Sequence, residues 1–154
     1  MTIAQTIKPK SPDALYDRDF VAWTEEQGKL LRAGKLDAID LANLIEEIES
    51  LGRSDRRGTD SQLVRLQAHI LNWQIQPEKR CSSWRGSIAD ARNEIALFFE
   101  QSPSLRRHAH VQWLSDYTRA RRLAAAQTKL ALSAIPDEPP FTLDQILDDD
   151  FWPD

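Results

Sequence analysis

The sequence predicts an all-α protein, a helical bundle of about four long helices with one short C-terminal helix. Nearly every long segment repeats apolar residues at positions i, i+3, i+4 and i+7, the pattern of a helix with one buried face. The chain has only five glycines and few runs of β-branched residues, so it offers little material for strands and hairpins. At 154 residues it has the length of one ordinary domain and can bury one core.

The ends of the chain differ in character from its middle. We expect residues 1–12 to be a loose segment, because they are polar and contain prolines. Residues 13–154 are then a single helical domain with an acidic, proline-containing tail from about residue 133. Prolines forbid regular helix early in this tail, and the later sequence Thr142-Leu-Asp-Gln145 is a capping box that predicts a short helix. We expect the tail to pack its apolar residues on the bundle.

The first two long helices are predicted from their caps. Asp17 is a suitable N-cap for a helix that ends at Gly34, and Asp40 is a suitable N-cap for the next helix. Each helix has an apolar stripe that we expect to face the core. The first stripe is Phe20, Trp23, Leu30 and Leu31, and the second is Leu41, Leu44, Ile45, Ile48 and Leu51.

The polar segment from Gly52 to Gly58 is compatible with two structures, either a turn between two helices or part of one continuous helix. A second capping-box pattern follows this segment, which is typical of two helices that meet at a turn. A glycine costs only about 1 kcal/mol inside a helix, so one helix over residues 40–76 is also compatible with the sequence. The helical pattern resumes through Leu63, Leu66, Ile70 and Trp73, until Pro77 stops it. Of the two courses, we favour the single long helix.

Two further helices are predicted before the tail. Ser82 or Ser83 caps the first of them. The second begins where Ser102 precedes Pro103, and it continues to about Leu132. Their apolar residues are Trp84, Ile88, Ala91, Ile95 and Phe98 in the first, and Trp113, Tyr117, Ala120 and Ala124 in the second.

Several of these segments, taken in order, resemble a known family. They are Tyr16-Asp-Arg-Asp-Phe-Val-Ala-Trp23, Leu44-Ile-Glu-Glu-Ile-Glu-Ser-Leu-Gly-Arg53, His69-Ile-Leu-Asn-Trp-Gln74, Ser83-Trp-Arg85, Ser102-Pro-Ser-Leu105, Tyr117-Thr-Arg-Ala120 and Leu143-Asp-Gln-Ile-Leu147. The chain resembles the bacterial family labelled domain of unknown function 29 (DUF29) over nearly all residues after the first dozen. The resemblance implies an α-helical fold, and it brings no activity, cofactor or site with it.

Two positions depart from the pattern of that family. Asn72 stands where a basic residue is common, and Gln127 stands before Thr128 where an acidic residue is usual. A role that depends on charge at these positions is therefore not carried over to this chain.

The charges are unevenly distributed along the chain. Residues 1–52 have six Lys and Arg against ten Asp and Glu, residues 53–129 have fourteen against seven, and residues 130–154 have none against seven. A basic middle is compatible with nucleic-acid binding, but no groove-reading motif accompanies it, so we do not expect nucleic acid as the partner. We expect instead that Asp148-Asp-Asp150 pairs with the basic start of the last long helix, within one chain or between chains. That basic start consists of Arg106, Arg107, His108 and His110.

The cysteine content and the apolar runs indicate in which cellular compartment to expect the protein. Cys81 is the only cysteine, which excludes an internal disulfide and makes a cysteine-based zinc site implausible. No stretch approaches the roughly 18 to 20 apolar residues that a membrane span needs, and the N-terminus lacks the pattern of a secretion signal. We therefore expect a cytoplasmic protein with no membrane partner.

One candidate site consists of Glu46 and Glu49 with His69 as a nitrogen ligand. Carboxylates on facing helices hold metal ions in bundle metalloenzymes, which suggests a metal-dependent hydrolase as an alternative function. The Glu-x-x-His pairs of di-iron bundles and the Glu-Glu-x-x-Glu pattern of helical nucleotide pyrophosphohydrolases are both absent. On one continuous helix Glu49 and His69 would lie about 30 Å apart and could share a metal only across two chains. We favour a solvated or salt-bridged helix face, with no metal and no cofactor.

A second candidate site surrounds the turn at Pro77. Its members are His69, Trp73, Arg80, Trp84 and Arg85. Tryptophans beside arginines can stack bases or bind an anionic ligand. The interpretation we favour is that the tryptophans pack in the core while the arginines and serines cap the turn.

These observations lead to three functional hypotheses, and the leading one is not catalytic. The leading hypothesis is a protein–protein interaction module that forms a homo-oligomer or binds another protein, because no catalytic motif is present and the charged regions are complementary. The alternative is a metal-dependent or anion-binding enzyme that uses Glu46, Glu49, His69 and Arg85. The third is nucleic-acid binding through the basic helices.

Overall fold

The computed structural model describes residues 14–154, which contain six α-helices and no strand. Four longer helices and a short C-terminal helix confirm the all-α fold class. The expected loose segment, residues 1–12, lies outside the described residues. The helices are α1 (Leu15–Arg18), α2 (Phe20–Arg32), α3 (Leu41–Ile75), α4 (Ser82–Gln101), α5 (Ser104–Thr128) and α6 (Leu143–Leu147).

The described residues form two compact units that divide within α3, after Arg53. The first unit contains α1, α2 and the beginning of α3. The second unit, Ser54–Asp154, contains the rest of α3, then α4, α5 and the tail with α6. Among residues 14–154, no helix has both the length and the apolar character that a membrane crossing requires.

The prediction of one long helix across the glycine-containing segment is confirmed. Helix α3 is continuous over 35 residues, and it ends at Ile75, just before Pro77. Gly58 has a packing role within this helix, because a Cβ atom there would lie 2.6 Å from Cζ of Phe98 on α4. Gly52 has no such neighbour within 4 Å. The capping-box sequence after Gly58 therefore lies inside the helix, where tertiary packing outweighs a local helix-start signal.

The core of the second unit lies between α3, α4 and α5 and is completed by the tail. Helix α3 contributes Leu63, Leu66, Ile70, Leu71 and Trp73, α4 contributes Ile88, Ala91 and Ile95, α5 contributes Ala109, Tyr117, Ala120 and Ala124, and the tail contributes Ile135, Phe141, Leu143 and Ile146. These residues follow the helical periodicity of the sequence, and the tail packs on the helices as predicted.

Several helix caps differ from the predictions. Asp19, and not Asp17, caps α2, and its carboxylate accepts a hydrogen bond from the backbone N–H of Ala22 at 3.0 Å. The cap position of α4 is Cys81, which makes no side-chain cap, so neither Ser82 nor Ser83 is the N-cap. Helix α5 ends at Thr128, short of the predicted end. The capping box at Thr142 is confirmed, with both of its hydrogen bonds present.

The predicted core stripe on the first part of α3 is largely wrong. Leu41 is 40% exposed, Ile45 42%, Ile48 61% and Leu51 71%. These four residues are called the exposed stripe below. Asn43, on another face of α3, is buried, so the described contacts within the first unit use a face other than the stripe. Periodicity shows which side chains share a face, but a neighbouring element decides whether that face is covered.

The two glycines of α3 make a matched test of this packing. Gly52→Ala should stabilise the protein by about 0.5–1 kcal/mol, because alanine loses less conformational entropy in a helix and meets no neighbour. Gly58→Ala gains the same helix propensity but must displace the ring of Phe98, so it should be less stable than Gly52→Ala by about 1–3 kcal/mol. Urea unfolding of the two variants measures the difference, and equal stabilities would contradict the close packing of α4 at Gly58.

Candidate functional site

The first unit covers only one side of its part of α3. The indole Nε1 of Trp23 donates to Oδ2 of Asp40 at 3.1 Å, and the backbone N–H of Asp40 donates to Oε1 of Gln27 at 2.8 Å. The amide of Asn43 also donates to Asp40, at 2.7 Å. Together these contacts place α2 against the start of α3 through largely buried polar groups. Among residues 14–154, no comparable contact covers the exposed stripe.

Apolar surface is concentrated in the first unit. Eight of the thirteen exposed large apolar side chains among residues 14–154 belong to it, although it has only about 40 of the described residues. Trp23 is its one buried apolar residue within the described chain. A unit of this size cannot bury a core of its own, and contiguous exposed apolar surface is typical of an interaction site.

The carboxylates of the proposed metal site are paired with an arginine of the same helix. Arg53 contacts Glu46 at 2.7 Å and Glu49 at 3.6 Å, and all three side chains remain substantially exposed. Glu47, between them, accepts a hydrogen bond from the Tyr16 hydroxyl. This hydrogen bond is the largest cause that raises the pKa of Tyr16 to about 12. The glutamates therefore form a salt-bridged helix face.

His69, the third member of the proposed metal set, belongs to the second unit. Burial lowers the pKa of its imidazole, and the charge of Arg65 lowers it further. Its Nδ1 atom is buried and has no hydrogen-bond partner among the described residues. Within residues 14–154, no group of three or more His, Cys, Asp or Glu side chains is arranged to hold a metal ion.

The structure brings together Trp73, Arg80 and Arg85 and adds Trp152 from the tail. The two indole rings lie 5.0 Å apart between centroids, and Arg85 lies over both of them. Arg80 donates from Nε to the backbone carbonyl of Trp73 at 2.8 Å and from Nη2 to the carbonyl of Pro153 at 3.1 Å. Trp84 is half-buried and packs against the core.

Arg92, which the sequence reasoning missed, anchors the tail. Its side chain is buried, and it donates to the carbonyls of Ile146 at 2.8 Å, Asp149 at 3.2 Å and Phe151 at 2.8 Å. Burial lowers the pKa of this guanidinium, while the nearby carboxylates of Asp149 and Asp148 raise it. The sequence contains a signal for this role, because Arg92 occupies a core position of the predicted helix, four residues after Ile88.

This cluster therefore binds the chain's own tail. The donors of Arg80 and Arg92 point at backbone carbonyls of residues 146–153, and the tryptophan faces are occupied by arginine side chains. An external anion would have to compete with these contacts. Arginine–carbonyl bonds and arginine–indole stacking together explain why the tail packs in one position.

The tail pairs with the basic helix through Arg106, as predicted, but its acidic partners within the chain differ from the predicted ones. Arg106 contacts Asp144 at 2.8 Å, and Arg121 contacts Asp137 at 2.5 Å and also donates to the carbonyl of Ile135. Among the described residues of one chain, no ion pair joins Asp148-Asp-Asp150 to the basic start of α5, and their pairing between chains stays a prediction. Residues 135–144 lie along α5, because Ile135, Phe141 and Leu143 pack into the core beside it, and this packing selects the acidic partners.

A buried acidic group lies between α3 and α5. The side chain of Asp116 is fully buried, Arg119 donates to its Oδ1 at 2.5 Å, and its Oδ2 has no partner among the described residues. Asp60 lies close enough for its charge to act on Asp116, and it pairs with Nε2 of His108 at 2.7 Å. Burial, followed by the charge of Asp60, raises the pKa of Asp116 from 3.8 to about 6 against the influence of Arg119.

A family model described as "Domain of unknown function DUF29" matches residues 15–152, nearly the whole chain. The chain belongs to the DUF29 family. Comparison with curated proteins and with solved structures finds no match. Membership in DUF29 carries no assigned activity, so the function of this chain has to be argued from its own surfaces.

The two positions that depart from the DUF29 pattern contact each other. The side-chain amide of Asn72 on α3 donates to Oε1 of Gln127 on α5 at 2.7 Å. A neutral amide pair thus joins α3 and α5 in this DUF29 protein. Unlike the strength of an ion pair, the strength of this neutral hydrogen bond does not depend on the charge state of its partners or on screening by salt.

Removing the donors of Arg92 should destabilise the second unit. Arg92→Met keeps an unbranched apolar stem of similar length but leaves one buried and two part-buried carbonyls without their donor, so we expect a loss of about 2–4 kcal/mol. Arg122→Met is the control, because Arg122 is exposed on the adjacent helix. Urea unfolding should show a large loss for Arg92→Met alone. Equal losses in the two variants would contradict an anchoring role for Arg92.

Asp116 should make stability depend on pH with a definite sign. Its folded pKa of about 6 lies above the ordinary 3.8, so between these values the folded state holds a proton that the unfolded state has released. Stability therefore falls as pH rises from about 4 to 6, and the penalty persists above pH 6. Asp116→Asn removes this loss of stability. The increase in the free energy of unfolding that it causes should be about 2–3 kcal/mol larger at pH 7.5 than at pH 4. The control Asp90→Asn, an exposed carboxylate, should show no comparable change.

Proposed function

We propose that this DUF29 protein is a protein–protein interaction module that self-associates through the exposed stripe of α3. The observation that supports the proposal is the exposure of Ile48 and Leu51, 61% and 71%, at regular spacing on a helix. Aliphatic side chains repeated on one helix face gain free energy when a second apolar surface removes them from water. A second copy of the chain supplies such a surface.

The alternatives have less support among the described residues. Glu46 and Glu49 are already paired with Arg53, and Arg80 and Arg92 already donate to the tail. The two carboxylates of the proposed metal site and these two arginines are therefore engaged in contacts within the chain. The same holds for nucleic-acid binding through α5, since Arg106 and Arg121 pair with acidic residues of the tail.

We also propose the bacterial cytoplasm as the compartment. Cys81 is exposed and free, and an exposed lone thiol persists best in a reducing environment. The family resemblance supports a bacterial source.

Charged substitutions on the stripe test self-association directly. Ile48→Asp and Leu51→Asp should each weaken it at least about tenfold, because a carboxylate would have to be buried in the apolar contact. Val111→Asp is the matched control, since Val111 is 74% exposed on α5 and lies outside the stripe. Native mass spectrometry and sedimentation over a range of concentrations measure the effect. A parent chain that stays monomeric, or stripe variants that associate as well as the control, would overturn the proposal.

A further inference from the structure

A groove runs between α5 and the tail on the surface of the second unit. Its volume is about 790 Å³, within the usual range of ligand-binding pockets. One wall consists of residues of α5 between His110 and Thr118, and the other consists of tail residues between Asp137 and Asp144. The exposed stripe belongs to the first unit, so the groove is a separate surface from the one proposed for self-association.

The tail follows α5 in the opposite direction, which places acidic residues at both ends of the groove. Arg121, toward the end of α5, contacts Asp137, and Arg106, near its start, contacts Asp144. The helix rises about 22 Å between these two arginines. Glu138, next to Asp137, is exposed and forms no ion pair within residues 14–154. The carboxylates therefore stand at two separate positions along the groove.

The arginines leave these carboxylates accessible. The two paired aspartates remain 89% and 69% exposed in their side chains. Arg121 is largely buried and also donates to the carbonyls of Leu132 and Ile135, while Arg106 lies over the ring of Phe99 on α4. Among the described residues that line the groove there is no lysine and no arginine. Its two ends are therefore suited to a cation.

The middle of the groove is aromatic and aliphatic. Trp113, Leu114 and Tyr117 of α5 line it together with Phe141 of the tail. Tyr117 and Phe141 belong to the buried core, and the Tyr117 hydroxyl donates to the carbonyl of Pro136 at 2.7 Å, so this part of the wall is held in place. Leu114 is 66% exposed, and a bound apolar group would remove it from water.

We infer that the groove binds an extended basic peptide segment of another protein. Carboxylates at the two ends and apolar residues between them match a segment with a cationic side chain at each end and an apolar side chain at its centre. An extended chain advances about 3.3 Å per residue, so about seven residues cover the distance between the acidic ends. Nucleic acid would be repelled by these carboxylates, and a small cation would leave the apolar middle in water.

Peptide libraries test this ligand class on the full chain. One library of heptapeptides has arginine at both ends and random residues between them, and its matched control has glutamate at both ends. The immobilised protein should retain about tenfold more of the arginine library, because the groove ends attract cations and repel carboxylates. Apolar residues should be enriched at the centre of the retained peptides. Equal retention of the two libraries, or retention of neither, would overturn the inference.

Charge reversal at Glu138 tests whether the retained peptides lie in the groove. Glu138→Lys should bind them about tenfold more weakly than the parent, because it replaces a carboxylate that has no ion-pair partner of its own with a cation. Glu94→Lys is the matched control, since Glu94 is exposed on α4, outside the groove, and the net charge changes equally. Fluorescence anisotropy of a labelled peptide measures both affinities. Equal weakening in the two variants would show a general charge attraction and contradict binding in the groove.

A second pair of variants tests the apolar middle. Leu114→Ser should weaken peptide binding about threefold or more, because less apolar surface is then removed from water. Leu97→Ser is its control, since Leu97 is 49% exposed on α4 and does not line the groove. An equal effect of the two variants would contradict an apolar contact at Leu114.

A second copy of the chain in the groove would give a different result. Glu138→Lys would then reduce self-association in sedimentation experiments, and the arginine library would not be retained. That outcome would overturn binding to a segment of another protein. Self-association through the exposed stripe is decided separately, by the response of the parent chain and its stripe variants to concentration.

Discussion

The second unit depends on a buried guanidinium that holds the tail against the helices. Arg92 lies on the core face of α4, and it satisfies three carbonyls of the segment that follows α6. Phe141, Leu143 and Ile146 can complete the core only if this segment stays in place. Buried carbonyls need donors, and a buried arginine needs acceptors, so each satisfies a requirement of the other. The tail is thus part of the fold and covers apolar faces that the three long helices leave open.

Among its described residues, 14–53, the first unit has no equivalent of the tail. Its helices are joined by polar contacts around Asp40, and the apolar residues on the neighbouring face of α3 remain in water. One long helix thus has a part that the chain covers and a part that it leaves exposed. The contrast supports binding to another chain as the role of this protein, because uncovered apolar surface of this extent is unfavourable for an isolated molecule.

Polar groups inside the second unit add specificity to its packing. The amide pair of Asn72 and Gln127 joins α3 to α5, and the carboxylate of Asp116 lies between the same helices with one oxygen unpaired. Gln67 on α3 is fully buried, and its side-chain amide has no partner within the described residues. Such groups lower stability when unpaired, and they also penalise any other register of the two helices, in which a paired group would lose its partner.

The sequence by itself determined the all-α class, the continuous α3, the capping box of α6 and the core positions from Leu63 to Trp73. These features depend on local propensity and on 3.6-residue periodicity, both of which can be read along the chain. The tertiary structure decided which apolar faces are covered, which acidic residues the basic helix binds, and that Arg92 anchors the tail. Periodicity places Ile48 and Ile70 on equally apolar stripes of one helix, but only the elements packed beside each stripe make Ile70 a core residue and leave Ile48 exposed.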